Sequence, residues 1–165
     1  MFCLVLLIGE MGRRHADIPE EAIHRDAVVR LLVEAGANVE AHGWFGETAL
    51  FTLNEDAVHE LIRQHANLEA RNEYGETALV DTVSSSITDI LLKAGANVNA
   101  QDNDGKTALI RAAERNYVEK LKVLVKVDGI DLEHRDKNAE TGLMKATLAN
   151  HTDCIDILIR AGATR

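Results

Sequence analysis

Proline, cysteine, aromatic side chains and clustered positive charge are all scarce in this chain, and each scarcity excludes something. Its two cysteines, Cys3 and Cys154, stand far apart. They make no metal-ligand spacing and no disulfide framework, so a reducing compartment is expected, the cytoplasm or the nucleus. Lys and Arg total 18 against 27 Asp and Glu, a net charge of −9, and the one adjacent basic pair is Arg13-Arg14. Phosphate-rich partners need clustered cations, so neither nucleic acid nor an anionic membrane is expected. The strongly apolar stretch, Met1–Ile8, is too short to span a bilayer. With no basic residue ahead of it and Glu10 behind it, it does not read as a secretion signal. The single proline, Pro19, is a residue that starts helices or breaks them.

What is abundant is small and aliphatic. Apolar residues make up 46% of the chain and aromatics only 4%, the composition of thin helix layers filled by Leu, Val, Ile and Ala. The punctuation between those layers repeats. Gly46-Glu47-Thr48-Ala49-Leu50 returns as Gly75-Glu76-Thr77-Ala78-Leu79, as Gly105-Lys106-Thr107-Ala108-Leu109 and as Ala139-Glu140-Thr141-Gly142-Leu143. The threonines at 48, 77, 107 and 141 are 29, 30 and 34 residues apart. A second motif precedes each copy: Ala35-Gly36-Ala37-Asn38-Val39-Glu40-Ala41, His65-Ala66-Asn67-Leu68-Glu69-Ala70 and Ala94-Gly95-Ala96-Asn97-Val98-Asn99-Ala100, with looser forms at Gly129-Ile130-Asp131-Leu132-Glu133-His134 and Arg160-Ala161-Gly162-Ala163. A glycine after an apolar helical run ends the helix in the left-handed region. The polar turn that follows, such as Asp102-Asn103-Asp104-Gly105, reverses the chain, and the threonine hydroxyl caps the next helix.

Two motifs alternating at a period near 33 residues resemble the ankyrin repeat, over residues 28–165. The resemblance implies a mainly α solenoid, helix-turn-helix pairs joined by short β-hairpin or turn fingers, forming one domain over 1–165. The repeats are expected at 1–41 (degenerate), 42–70 and 71–100 (both short), 101–134 and 135–165. In the first, Val5–Gly12 resembles the end of one helix, Arg13–Pro19 an inserted loop, and about Ala22 to Ala35 the partner helix, with Val28, Val29, Leu32 and Val33 inward. The second should have a short first helix over Thr48–Leu53, then a helix opened by Asn54-Glu55-Asp56, whose acidic groups suit its positive end. His65 replaces the helix-ending glycine at a cost on the order of 1 kcal/mol. In the third, a short helix near Thr77–Val83 meets Ser84-Ser85-Ser86, a serine capping the next helix. The fourth pairs Thr107–Arg115 with a helix to about Lys126, and the fifth Thr141–Ala149 with Asp153–Ala161. Asn116 and Asn150 take the glycine position of the turns between those helices. The family's Thr-Pro-Leu-His becomes Thr-Ala-Leu-Phe, Thr-Ala-Leu-Val, Thr-Ala-Leu-Ile and Thr-Gly-Leu-Met here, exchanging a buried polar link for apolar contact.

No chemistry emerges. His59 and His65 are six apart and off a common helical face, His42, His134 and His151 fall at turns, and Cys154 sits at an inward helix position. The Gly-x-Thr segments lack the ending of a phosphate loop. No nucleophile–base pair and no metal set is found, so neither enzyme activity nor a cofactor or metal is expected.

Binding remains. The resemblance implies a concave face of finger tips and first helices, and a protein partner held there by a monomer. The tip residues are Trp44, Phe45 and Glu47, then Glu73, Tyr74 and Glu76, then Asn103, Asp104 and Lys106, then Lys137, Asn138 and Glu140, with Glu114, Arg115, Leu148 and Ala149 extending the face. Three of the chain's aromatics, its one Trp among them, fall on two adjacent tips. Large aromatics are favoured interface anchors, but Trp44 and Phe45 can equally fold down onto neighbouring helix starts. Tyr74 leans towards solvent because its hydroxyl keeps one end wet. Glu73, Glu76 and Asp104 favour a basic partner. Two other readings stay open: the repeat section of a larger effector or enzyme, and a substrate for asparagine hydroxylation at Asn99, which the resemblance suggests through Val98-Asn99-Ala100.

Overall fold

Four threonines set the period of the fold. Thr48, Thr77, Thr107 and Thr141 are all buried and extended. Three of them accept a hydrogen bond on the hydroxyl oxygen from an amide three residues on: Val80 N–H to Thr77 and Ile110 N–H to Thr107, both at 3.4 Å, and Met144 N–H to Thr141 at 3.2 Å. Each thereby satisfies one of the donors a helix start leaves open. The computed structural model describes residues 31–52 and 54–164. The expected apolar opening segment, the Arg13–Pro19 loop and Val28 and Val29 lie outside them, as do Cys3 and Leu53.

Residues 31–34 are helical and end at Gly36. A 3-10 turn, Ala49–Phe51, follows, then α1 (Glu55–Arg63), α2 (Ala78–Asp81), α3 (Ser85–Lys93), α4 (Ala108–Glu114), α5 (Val118–Leu124), α6 (Gly142–Leu148) and α7 (Thr152–Ala161). First helices stack on first helices, the 3-10 turn on α2, α2 on α4 and α4 on α6. Second helices stack in a parallel row, α1 on α3, α3 on α5, α5 on α7. The buried leucines form two columns to match. Leu50, Leu79, Leu109 and Leu143 run through the first row, and Leu61, Leu91, Leu124 and Leu158 through the second. Each repeat supplies one leucine to each column, so its apolar face is covered only by its neighbours.

The first helices of the two short repeats stop earlier than their sequence predicts. The second repeat has only the 3-10 turn Ala49–Phe51, and α2 ends at Asp81 rather than near Val83. The stop is built by side chains. Thr52 Oγ1 accepts from Asn54 N–H and Thr82 Oγ1 from Ser84 N–H, both at 3.2 Å. Asn54 and Ser84 then cap α1 and α3 by accepting from Ala57 N–H and Ile87 N–H. Such local bonds compete with helix continuation. The two full repeats turn instead at Asn116 and Asn150, with φ of 59° and 57°. α5 also ends early, at Leu124 instead of about Lys126. His65 takes the left-handed position (φ 60°) that Gly95 holds at φ 97° one repeat later.

The fingers are turns rather than strands. Among the described residues one isolated bridge, Gln101 to Thr107, is the only β pairing. Each finger closes on itself by a backbone bond, from Gly43, Asn72, Asp102 and Asp136 N–H to the carbonyls of Glu47, Glu76, Lys106 and Glu140. Inside each of the last three fingers one side-chain oxygen holds two amides. Asn72 Oδ1 accepts from Tyr74 and Glu76, Asp102 Oδ1 from Asp104 and Lys106, and Asp136 Oδ1 from Asn138 and Glu140. The first finger has Gly43 there, and Glu47 folds back to accept from Phe45 N–H at 2.9 Å, filling the space a β-carbon on Gly43 would need.

Candidate partner-binding surface

Adjacent fingers are tied by one backbone bond each. Glu73 N–H donates to Phe45 O at 2.8 Å, Asn103 N–H to Tyr74 O at 2.9 Å and Lys137 N–H to Asp104 O at 2.9 Å. That pairing puts the tip residues into two rows. One runs Trp44, Glu73, Asn103, Lys137, and the other Phe45, Tyr74, Asp104, Asn138. All eight are exposed. Trp44 is 83% exposed, Phe45 58% and Tyr74 54%. The two alternatives for Trp44 and Phe45 thus resolve towards solvent. Both backbones are held while both rings stand clear of the core. The neighbouring Glu73, by hydrogen bonding and then by its charge, holds the Tyr74 phenol above its usual pKa.

Five of the expected contact residues, Glu47, Glu76, Lys106, Glu114 and Glu140, are used inside the protein. Glu76 is only 5% exposed. Its carboxylate pairs with Arg111 Nη2 and accepts from Asn72 Nδ2 at 2.7 Å, so it is a structural acid rather than a surface contact. The correction has a plain cause. Arg111 rises from α4 of the next repeat to the base of this finger and also reaches Asp102 Oδ2 at 2.9 Å. Lys106 is largely covered and bridges to Glu114 at 2.8 Å, and Glu47 is committed to its own finger. Arg115 is exposed, and a hydrogen bond with Tyr117 raises its pKa. Lys137, Asn138, Leu148 and Ala149 are exposed as well.

The position four residues after each finger threonine is a second organiser, and reading by motif alone passes over it. In the fourth repeat it is Arg111, clamped to Asp102 and Glu76. In the fifth it is Lys145, which pairs with Glu140, with Asp136 at 3.1 Å and with Glu114 at 3.8 Å. Burial pushes the Asp136 carboxyl up, but the amides of Glu140 and Asn138 and the Lys145 ammonium outweigh it and leave the pKa lowered. In the third repeat the same position is Asp81. Its residue reaches solvent, yet crowding of the carboxyl, and then the charge of Glu76, raise its pKa.

Lys120 is the other residue that motif reading misses. It occupies the third position of α5, which in α1, α3 and α7 holds Ala57, Ile87 and Cys154. It is 1% exposed. Its ammonium donates to Leu79 O at 2.9 Å, Val80 O at 3.2 Å and Thr82 O at 2.6 Å, around the C-terminal end of α2. A helix end leaves carbonyls open and favours a cation. The early stop of α2 is therefore made good by a lysine from the next repeat. Burial drives its pKa down from 10.5 to about 7, with Asp81 pulling the other way. A charged residue in an apolar slot of a helix was the available signal.

Three histidines clasp backbone carbonyls, one within its finger and two far along the chain: His42 Nδ1 meets Gly46 O at 2.7 Å, His134 Nε2 meets Gly105 O at 3.0 Å and His151 Nδ1 meets Ala113 O at 2.9 Å. Cys154 is fully buried, its thiol donating to Asn116 Oδ1 at 3.3 Å. Asn99 spends both ends of its amide on the next repeat, donating to Gly129 O and accepting from Asp131 N–H. An oxygenase would have to open that junction to reach it. Among the described residues no group of three or more His, Cys, Asp or Glu is placed to hold a metal ion, and no helix is long and apolar enough to cross a membrane.

A family model described as ankyrin repeats, in 3 copies, matches residues 49–136 and 80–164. A search of curated proteins returns no match. The matched span covers the last two finger ties, both leucine columns and the Lys120 junction, and it begins just after the finger that carries Trp44 and Phe45.

Proposed function

The chain belongs to the ankyrin-repeat family, whose members are generally protein-interaction modules and typically non-catalytic, and from this premise we propose that it holds a protein partner across its finger tips and first helices. The observation that carries the reading is the trio Trp44, Phe45 and Tyr74, large rings exposed on two fingers whose backbones are bonded together. A rigid frame that presents aromatics loses little entropy on binding, and such residues dominate interface energetics. The supporting face is firm beneath them, because every finger is closed internally and tied to its neighbour. The proposal places the protein inside the cell, in the cytoplasm or the nucleus, as a monomer that needs no cofactor.

Affinity capture from cells with the intact protein beside a Trp44→Ala/Tyr74→Ala variant tests this. Proteins retained by the intact chain should be lost by the variant, while both melt at the same temperature. If the variant unfolds, the rings were packing residues. If it retains the same proteins, the tips are not the contact surface.

A further inference from the structure

In the two full repeats the residue four places after the finger threonine is a cation that neutralises the acids at the finger base, Arg111 in one and Lys145 in the other. The third repeat breaks the pattern with Asp81, and no ion pair among the described residues reaches it. The neighbouring cations are already engaged. Arg111 holds Glu76 and Asp102 and Lys120 is ringed by three carbonyls, so their charges, with that of Arg115, act on Asp81 without a direct pair. On the finger of the same repeat stand Glu73 and Tyr74, with Trp44 beside Glu73 in its row and Asp104 beside Tyr74 in the other. The positive tip residue, Lys137, lies at the far end of the rows. This stretch of the surface therefore combines open aromatic faces with two tip carboxylates, Glu73 and Asp104, that no salt bridge engages, and with Asp81, which Lys120, Arg111 and Arg115 offset without a direct pair.

We propose that this end of the face, Trp44, Phe45, Glu73, Tyr74, Asp81 and Asp104, receives an arginine-bearing segment of a protein partner, whose guanidinium meets the tip carboxylates that no ion pair engages. Arginine fits better than lysine. Its planar guanidinium stacks on aromatic faces, is weakly hydrated, and presents a fork that matches a carboxylate with two parallel hydrogen bonds. A lysine satisfies the charge but neither the stacking nor the fork. An acidic segment meets repulsion from every carboxylate in the group. The inference rests on the interaction reading above and narrows it to one partner chemistry.

The test selects binders from a random-peptide phage library on the intact chain and titrates the synthesised peptides against Trp44 fluorescence, a clean reporter because the chain has a single Trp. Arginine should be enriched over the library background, and replacing it by lysine in a selected peptide should weaken binding several-fold. Glu73→Gln or Asp81→Asn should each weaken binding roughly tenfold, the loss of one charge-assisted contact. Asp81→Arg, which restores the pattern of the following repeats, should abolish it. Glu73 is exposed at its finger tip, so Glu73→Gln should melt with the parent, whereas the Asp81 variants change the charge facing buried Lys120 and are titrated at a temperature where each is folded. Selected peptides without arginine enrichment, or arginine peptides that bind Asp81→Arg as tightly as the parent, overturn the partner chemistry and leave the interaction reading standing. A selection that yields no peptide sensitive to Trp44→Ala/Tyr74→Ala overturns both.

Discussion

Replacing Lys120 by methionine separates its stem from its charge. Methionine keeps most of the buried hydrocarbon contact but has no donor for Leu79, Val80 and Thr82 carbonyls, which the ammonium reaches at 2.9, 3.2 and 2.6 Å. A buried acceptor left without a donor costs roughly 1–3 kcal/mol. Part of that is returned because an ammonium is no longer held out of water, so a net loss of about 3 kcal/mol near neutral pH is expected. The pH dependence follows from linkage. In the folded chain the Lys120 pKa is about 7 against an ordinary 10.5, so between those values the unfolded chain binds a proton that the folded chain has released. Stability of the parent therefore rises with pH across that window, by about 1.4 kcal/mol per unit from this group alone, and the contribution is absent below it. The methionine variant has no such group. Urea unfolding of both proteins at several pH values reads the difference directly, and the gap should widen as pH climbs above about 7. A gap that stays constant through the alkaline range refutes the titration. A variant as stable as its parent throughout refutes the role of Lys120 as the cap of α2.

Two further perturbations probe the fingers. Ala139 sits at φ 62° where the other three tips have glycine. Ala139→Gly should stabilise the chain by about 0.5–1 kcal/mol, the left-handed strain relieved less the entropy glycine adds to the unfolded chain. An unchanged or lower urea midpoint contradicts this. Gly75 has φ 74°, and a β-carbon there would lie 2.8 Å from the backbone nitrogen of Asn103. Gly75→Ala should therefore cost at least about 2 kcal/mol. Amide exchange should accelerate first at Asn103, which is the donor across that finger pair, and uniform protection would argue against a local clash.

The chain's own pattern made the scaffold readable because repeats interact with near neighbours. A local rule, stated four times by Thr48, Thr77, Thr107 and Thr141, becomes a global architecture. The left-handed turns at His65, Asn116 and Asn150 were legible too, His65 because other repeats have glycine there and the two asparagines because they take the glycine position of the family they resemble. The early stops of the 3-10 turn and α2 were only half legible. The deletions show in the spacing, but the hydroxyl bonds of Thr52 and Thr82 that end those helices compete with helix formation on nearly equal terms.

The surface was less transparent. Exposure of Trp44, Phe45 and Tyr74 depends on which way a ring leaves a turn, and composition cannot decide that. Glu76 looked like Glu73 in one dimension. In three, the first is closed over by Arg111 and Asn72 while the second stands free of the finger base.

Sequence by itself determined the repeat, its helix starts and the positions of the tips, because those are set by bonds within a few residues. Tertiary structure alone decided which charges are used up. Lys120 and Asp81 belong to different repeats, and the cations and carbonyls they face lie 30 to 41 residues away. At that range the energy of a buried cation or an unmatched carboxylate depends on neighbours that no local pattern specifies.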